Sequence, residues 1–521
     1  MNETVKKGNI KTILLVIMLI VYFAAICLIN FSATPSMFDG DMYCDYRYAA
    51  LAWEHKSVFP DGWVFGNQLN LVSTPVLAAI LYGLFLDLNT AMAVACTIMA
   101  ILTVISFDWM IKPLFQSLES RLLAVVVFMT SVLYYGTAVH ENVGWSLFFT
   151  MCSYYAGYST TAFLAFGIYH RSWKGLDKKG WSLFLIVCAM SFGTGIQSIR
   201  QTVIMVLPMA AVEFLRIISD VRKGEHNHQP LWVASGIAAS NILGLITVRM
   251  LPIRQMEIFG KIELTPLSEL FMAGKNCLMM ILTMWSNGTR EGYGILFILL
   301  LICMAALFLQ CVEAIRERSL VNSVIPALMG ISILCIVGID VVTTMYVRPR
   351  YYFVLYPMVA YFAAYLYEYR KKIRIVFLLF LTVFFCCACM RELPDVCRQA
   401  WNSKDEESYE VSRYLLENGY TTIYSTWGHG QEYAIAASGI IEMGYWNDSA
   451  DPFVPMGYLY DSETYEADPD KCVYIFDSAG AAEIGKQKAM QKNVELTLLR
   501  YLQDSDTYIY TATENLLQLY R

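Results

Sequence analysis

Apolar segments long enough to cross a membrane recur along this chain from residue 11 to residue 392. A helix needs about 20 mainly apolar residues to span the hydrocarbon core of a bilayer, and its backbone hydrogen bonds must be satisfied within the segment. Only 16% of the 521 residues are charged, against about 25% in an ordinary soluble domain. The sequence therefore predicts a polytopic α-helical membrane protein whose first span, residues 11–30, is retained.

Basic side chains are concentrated in six short segments between the apolar runs. Cytoplasmic loops are enriched in Lys and Arg, so we assign all six to the cytoplasmic side. That assignment requires residues 70–86 and 267–286 to be interfacial or re-entrant segments. It gives about 11 spans in the plasma membrane, or 13 if both segments cross, with a cytoplasmic N-terminus and an extracytoplasmic C-terminal segment. The basic segments are the N-terminus and residues 111–121, 170–179, 216–226, 313–319 and 369–374.

Residues 393–521 differ in composition from the rest of the chain. They carry 21 acidic and 9 basic side chains, an excess of acids that argues against nucleic acid or anionic lipid as a partner. Strand-like segments such as "YTTIYSTW", "KCVYIFD" and "DTYIYTA" alternate with helical ones, which is typical of a small α/β domain. We therefore divide the chain into a transmembrane domain, residues 1–392, and an extracytoplasmic α/β domain, residues 393–521.

The first outer loop, residues 31–69, begins with the acidic stretch "FDGDMYCDY". Behind these acids, Met42, Tyr46, Ala49 and Trp53 recur at the spacing of one helical face. This pattern predicts a helix that lies on the membrane surface with its apolar side down. A turn through "FPDGW" and a polar return segment, "GNQLNLVSTP", then lead back to the membrane.

The predicted topology places most of the polar residues near the spans on the outer face. Ionisable groups close to a bilayer are costly and usually face a protein interior or a water-filled cavity. Contacts with lipid headgroups are the alternative for any single residue, but the whole group favours one outer vestibule. Its members are Asp39, Asp41, Asp45 and Arg47 in the first loop, His140, Glu141 and Asn142 in a short turn, Gln197, Arg200 and Gln201 between two spans, Arg290 and Glu291 in a further loop, and Asp340, Arg348 and Arg350 before a late span.

This succession of parts resembles the GT-C superfamily of membrane glycosyltransferases, which includes bacterial protein mannosyltransferases and aminoarabinose transferases. The resemblance covers roughly residues 10–392. It depends on "FDGDMYCDY" directly after the first span, on the helix that follows, and on "RPRYYFVLYPMVAYFAAYLY" at 348–367. It implies transfer of a sugar from a polyprenyl-phosphate donor to a glycan, lipid or protein acceptor of the cell envelope, commonly with inversion.

Such a reaction needs a base and a group that stabilises the departing phosphate. Either Asp39 or Asp41 can accept the proton of an acceptor hydroxyl. The other then holds the acceptor or a divalent cation such as Mg or Mn, and the sequence leaves metal use open. Asp45 is expected to orient Arg47 or the acceptor.

Arginine binds phosphate through paired, charge-assisted hydrogen bonds, so Arg200, Arg348 and Arg350 are the candidates for the donor phosphate. His140, beside Glu141, is either a second proton carrier or a structural residue.

Two other classes of protein remain as alternatives. A transporter or flippase of lipid-linked glycans would use a similar vestibule, although the sequence lacks the internal repeat and the paired broken spans that transporters tend to show. A non-catalytic scaffold for envelope assembly would not need clustered acids and arginines.

Overall fold

The computed structural model describes residues 2–32, 34–84, 86–133, 148–150, 153–223, 227–255, 262–284, 323–345, 347–370, 372, 374–391, 393–394, 397–398 and 406–521. Within these ranges five helices are long and apolar enough to cross a membrane. The chain is thus mainly helical, with five candidate membrane spans in the described ranges and a small sheet near its C-terminus. The five helical segments are Ile10–Ser32, Leu88–Ile111, Lys178–Gln197, Gln229–Val248 and Val324–Val342.

The helices before residue 392 form one bundle. The two segments predicted to be interfacial hold short helices: Thr74–Tyr82 has nine residues and Leu270–Met284 has 15, or about 13 and 22 Å against a hydrocarbon core of about 30 Å. The helices are α1 (Asn2–Ser32), α2 (Gly40–Glu54), α3 (Thr74–Tyr82), α4 (Leu88–Ile111), α5 (Leu118–Met129), α6 (Ala156–Ser172), α7 (Lys178–Gln197), α8 (Leu207–Lys223), α9 (Gln229–Val248), α10 (Leu270–Met284), α11 (Val324–Val342), α12 (Leu355–Tyr369) and α13 (Arg374–Arg391).

Four of the six basic segments meet at one end of this bundle. The Tyr369 hydroxyl donates to the Leu114 carbonyl over 3.4 Å. The Arg216 guanidinium lies 5.9 Å from the ring centre of Trp173. Arg171 donates to the Trp109 carbonyl in the last turn of α4, and Pro113 after α4 lines the same pocket as Arg171 and Lys174. These contacts connect residues 111–121, 170–179, 216–226 and 369–374, whereas residues 313–319 lie outside the described part of the chain.

The C-terminal part, residues 406–521, contains a five-stranded sheet. From one edge to the other its strands are β3 (Glu442–Trp446), β2 (Thr422–Thr426), β5 (Cys472–Phe476), β7 (Thr507–Ala512) and β6 (Leu496–Leu502). Strand β2 runs parallel to β3 and β5, and β7 is antiparallel to β5 and β6. The three strands expected from the sequence are present as β2, β5 and β7, whereas β3 and β6 were missed. The elements are α14 (Glu406–Glu417), β2 (Thr422–Thr426), α15 (Gln431–Ala436), β3 (Glu442–Trp446), β5 (Cys472–Phe476), α16 (Ala479–Gln491), β6 (Leu496–Leu502), β7 (Thr507–Ala512) and α17 (Leu516–Leu519).

Two further strands join the first loop to this sheet domain. Strand β1 (Trp63–Val64) pairs antiparallel with β4 (Tyr460–Asp461). The Met443 amide donates to the Tyr43 hydroxyl over 2.8 Å. The C-terminal part is therefore packed directly on helix α2.

The helix predicted after the acidic stretch is present as α2, but it is not a surface helix with one free side. Tyr43 and Arg47 stand one helical turn apart and are both buried, because the C-terminal domain covers this second face. The periodicity of Met42, Tyr46, Ala49 and Trp53 identified one buried face of α2. It did not identify the other buried face, which carries Tyr43 and Arg47. A polar residue such as Arg47 looks solvent-facing in sequence, since its partners are hundreds of residues away.

Candidate functional site

A narrow cleft, open to solvent and about 70 Å³ in volume, lies at the end of the bundle opposite the basic segments. Helix α2, the return segment 67–70, the residues before α6, and the breaks before α8 and α12 form its walls. It contains two of the predicted acids and two of the predicted arginines. Its lining consists of Asp41, Asp45, Asn67, Gln68, Asn70, Tyr154, Tyr155, Arg200, Arg350, Tyr351 and Leu459.

The local sequence of α2 determines how the acids are arranged. Asp39 is the N-cap of the helix, and its Oδ1 accepts the Met42 amide over 2.8 Å. Asp41 and Asp45 are four residues apart, so they project from the same face of the helix. One capping acid and two acids one turn apart therefore meet at the mouth of the cleft.

Asp39 is accessible to solvent at the rim of the cleft. Its Oδ1 also accepts a hydrogen bond from the Tyr154 hydroxyl over 3.3 Å. The surrounding protein restricts hydration of the carboxylate, and together with the charge of Asp41 this raises the pKa of Asp39 to about 6. A carboxylate with such a pKa is still ionised at neutral pH and is a better proton acceptor than an ordinary one.

Asp45 has a different electrostatic environment. Burial is the main cause that raises its pKa well above the usual range, followed by the charges of Asp41 and Asp39. The charged form is therefore disfavoured relative to an ordinary carboxyl, and a protonated carboxyl can donate a hydrogen bond. Asp45 is suited to hold an acceptor hydroxyl rather than to act as a base.

Asp41 forms an ion pair with Arg350. Both terminal nitrogens of the guanidinium contact Oδ2 of Asp41, at 3.1 and 3.2 Å, and both side chains are less than one third exposed. The guanidinium carbon also lies 5.8 Å from the ring centre of Tyr154, within the range of a cation–π contact. The pair connects the first loop to the residues before α12, which are 309 positions apart.

Arg200 projects into the cleft from a break between two helices. Helix α7 ends at Gln197 and Ser198 is extended. The chain becomes helical again at Arg200 and continues as a π-helical turn, Thr202–Val206. The Arg200 guanidinium carbon lies 4.9 Å from the ring centre of Tyr155 and 4.8 Å from that of Tyr351. Its Nη1 donates to Gln68 Oε1 over 2.9 Å. No carboxylate of the described residues lies within ion-pair distance of it.

The backbone of the return segment is held between helices α6 and α7. The Gln197 side chain accepts from the amides of Leu71 and Val72, at 3.3 and 3.0 Å. At Gly157 in α6 an added Cβ would lie 1.8 Å from the Val72 carbonyl oxygen. Only glycine permits this approach, which positions Asn67, Gln68 and Asn70 in the cleft.

The C-terminal domain also contributes to the cleft. Leu459 belongs to its lining, and the Leu459 carbonyl accepts from the Cys44 thiol over 3.2 Å. The indole of Trp427 packs on Gly40, where an added Cβ would meet the ring at 2.8 Å. This domain therefore forms part of the wall next to the acids.

The structure does not bring all of the predicted site residues together. Arg47 is directed away from Asp45, and its Nη2 contacts Glu442 at 2.6 Å and Asp461 at 3.0 Å. Its role is thus to attach α2 to the C-terminal domain. Arg348 is absent from the lining and lies within electrostatic reach of Tyr458 instead. His140 and Glu141 lie outside the described residues.

Several lining residues were not singled out from the sequence. Asn67, Gln68 and Asn70 stand in the polar return segment, where three amide side chains within four residues were a usable signal. Tyr154, Tyr155 and Tyr351 gave none, because aromatic residues are common throughout membrane helices and their ends.

The carboxylates of Asp39 and Asp41 are not arranged to bind a metal ion. Asp41 is paired with an arginine, and one oxygen of Asp39 is taken up by the helix cap. No group of three or more His, Cys, Asp or Glu side chains suited to a metal occurs within the described ranges. The charge of these acids is balanced by arginine instead.

No protein-family model matches the chain, and no curated protein matches it. Function resides in the chemistry of a site rather than in a fold, so the groups of the cleft decide what this protein can do.

Proposed function

We propose that this protein is an integral-membrane glycosyltransferase of the GT-C type. It moves a sugar from a polyprenyl-phosphate donor to an acceptor of the cell envelope. About 11 spans carry the cleft on the extracytoplasmic side of the plasma membrane, and the C-terminal α/β domain lies on the same side.

The main support for the proposal is that one cleft holds an arginine without a carboxylate partner among the described residues and, at its mouth, a carboxylate with a raised pKa. Arg200 is a guanidinium among tyrosine rings with no carboxylate partner among the described residues. Such a group has free donors for an anion, and a phosphodiester fits its planar fork. Asp39, with its raised pKa, lies at the mouth of the same cleft. An anion site beside a carboxylate base is what glycosyl transfer from a lipid phosphate requires.

The residues divide the reaction between them. Asp39 accepts the proton of the acceptor hydroxyl as that oxygen forms a bond to the anomeric carbon. The bond from this carbon to the phosphate oxygen breaks, and its electron pair remains on the polyprenyl phosphate. Arg200 stabilises the charge that develops there. Asp41 holds Arg350 beside the leaving group, and Asp45 binds the acceptor.

Turnover of the donor separates an enzyme from a transporter. Purified protein in vesicles, given a polyprenyl-phosphate sugar and a crude envelope acceptor, is expected to release free polyprenyl phosphate and to label the acceptor. Movement of the intact donor across the vesicle without release would identify a flippase. If the donor is neither cleaved nor moved, the protein is a non-catalytic scaffold.

The predicted orientation is tested with fused reporters. A reporter that is active only outside the cytoplasm is expected to work after Arg391 and to be silent after Lys372, because α13 lies between these two positions. The opposite pattern would place the cleft on the cytoplasmic side and exclude an extracytoplasmic donor.

A further inference from the structure

A second cavity, open to solvent and about 430 Å³ in volume, lies at the other end of the bundle from the candidate active site. It is bounded by the end of α4, the end of α6 and the start of α7, with Trp109, Ile168 and Leu183 among its apolar residues. Helix α4 has 24 residues, so the cavity is about 35 Å from the opposite end of that helix. It belongs to a different site from the cleft.

Three cations line this cavity. They are Arg171, Lys174 and Lys179. Among the described residues none of the three forms an ion pair. The lining also contains one carboxylate, Asp177, whose Oδ1 accepts the Gly180 amide over 2.7 Å as the cap of α7. The positive charge of the cavity is thus not balanced by the described part of the protein.

Arg171 is fixed in position. Its Nη1 donates to the Gly167 carbonyl over 2.9 Å and its Nη2 to the Trp109 carbonyl over 2.7 Å. Its guanidinium carbon lies 3.6 Å from the ring centre of Trp109. A guanidinium has five N–H donors, so three remain for another ligand. A basic loop that is only solvated would not need an oriented arginine.

The cavity continues onto an apolar helix surface. Lys179, Leu183 and Ile186 are spaced at i, i+4 and i+7 on α7, which places them on one stripe. Leu183 lines the cavity, and Ile186 beyond it is 55% exposed. A ligand with a charged end at the lysine and apolar chains along this stripe matches the surface.

We propose that this cavity binds the headgroup of an anionic phospholipid. Arg171, Lys174 and Lys179 contact its phosphate, and its acyl chains lie along α7 past Leu183. Basic pockets between helices at one face of the membrane are suited to such headgroups. The proposal is independent of the glycosyltransferase activity.

Lipid binding to the full-length protein in an uncharged detergent tests this site. Native mass spectrometry would compare phosphatidylglycerol with phosphatidylcholine of the same acyl chains, and inorganic phosphate would be added as a competitor. The test variant is Lys174→Ala with Lys179→Ala. Its matched control is Lys112→Ala with Lys178→Ala, which removes the same charge from exposed positions at the same end that do not line the cavity.

We expect the parent and the control to retain phosphatidylglycerol in preference to phosphatidylcholine. The test variant is expected to bind it about 30-fold more weakly, from the loss of two lysines near the headgroup. If the test and control variants lose phosphatidylglycerol binding equally, the lipid is attracted by the basic loops in general, and the proposed site is wrong. Equal binding of both lipids, or full displacement by inorganic phosphate, would overturn the lipid assignment.

Discussion

Replacing Asp39 by Asn is expected to lower sugar transfer by about 100- to 10,000-fold, the usual contribution of a general base. At this position the substitution removes the proton acceptor but keeps the helix cap. Asp39 is the N-cap of α2, and Asn caps a helix as well as Asp does. Folding and donor binding should therefore persist while the proton acceptor is lost.

The matched control is Asp61→Asn, which makes the same chemical change at an exposed position of the same loop. Single-turnover transfer would be measured for both variants at equal amounts of folded protein. Parental rates for Asp39→Asn would show that this carboxylate only caps the helix, and the base would have to be sought in Asp41.

The pH profile distinguishes a base from a structural acid. The pKa of Asp39 is raised to about 6, and the group must be ionised to accept a proton. Transfer in the parent should therefore rise with pH through about 6 and level off above it. Asp41 contributes to this raised pKa by its charge, so Asp41→Asn should move the rising limb to lower pH. If the pH at which transfer rises is the same in Asp41→Asn as in the parent, Asp39 is not the base.

Replacing Arg200 by Gln is expected to lower turnover by about 100-fold or more, as the loss of one donor to a developing anion typically does. Donor binding should weaken as well, because the phosphate is present in both the ground state and the transition state. Arg200→Lys keeps the charge but loses the planar fork and the stacking on Tyr155 and Tyr351, so it should recover only part of the activity.

Arg254→Gln is the control for this pair of variants. Arg254 is exposed, and its carbonyl accepts from the Phe65 amide at the same end of the bundle, so the change removes an equal charge outside the cleft. Transfer kinetics at several donor concentrations would be compared. An Arg200→Gln variant with parental affinity and rate would remove the anion site on which the proposed function depends.

Much of this organisation could be predicted because it follows from local properties of the chain. The length of the apolar runs predicted membrane helices, since the transfer of a segment into lipid depends on its own residues. Local alternation predicted β2, β5 and β7, and the "FDGDMYCDY" stretch was correctly placed at the start of a helix. The grouping of Asp41, Asp45, Arg200 and Arg350 followed from their expected position at one end of the spans, and the cleft brings these four together.

The contacts of individual side chains depended on tertiary structure. Arg47 pairs with Glu442, 395 residues further along the chain, and no spacing in the sequence encodes that distance. Strand β1 exists only because β4 supplies its hydrogen bonds. The tyrosines around Arg200 come from residues before two different helices, so their common position arises only when the helices pack. Apolar length and periodicity are properties of a segment, whereas ion pairs and clefts are properties of distances between segments, and folding sets those distances.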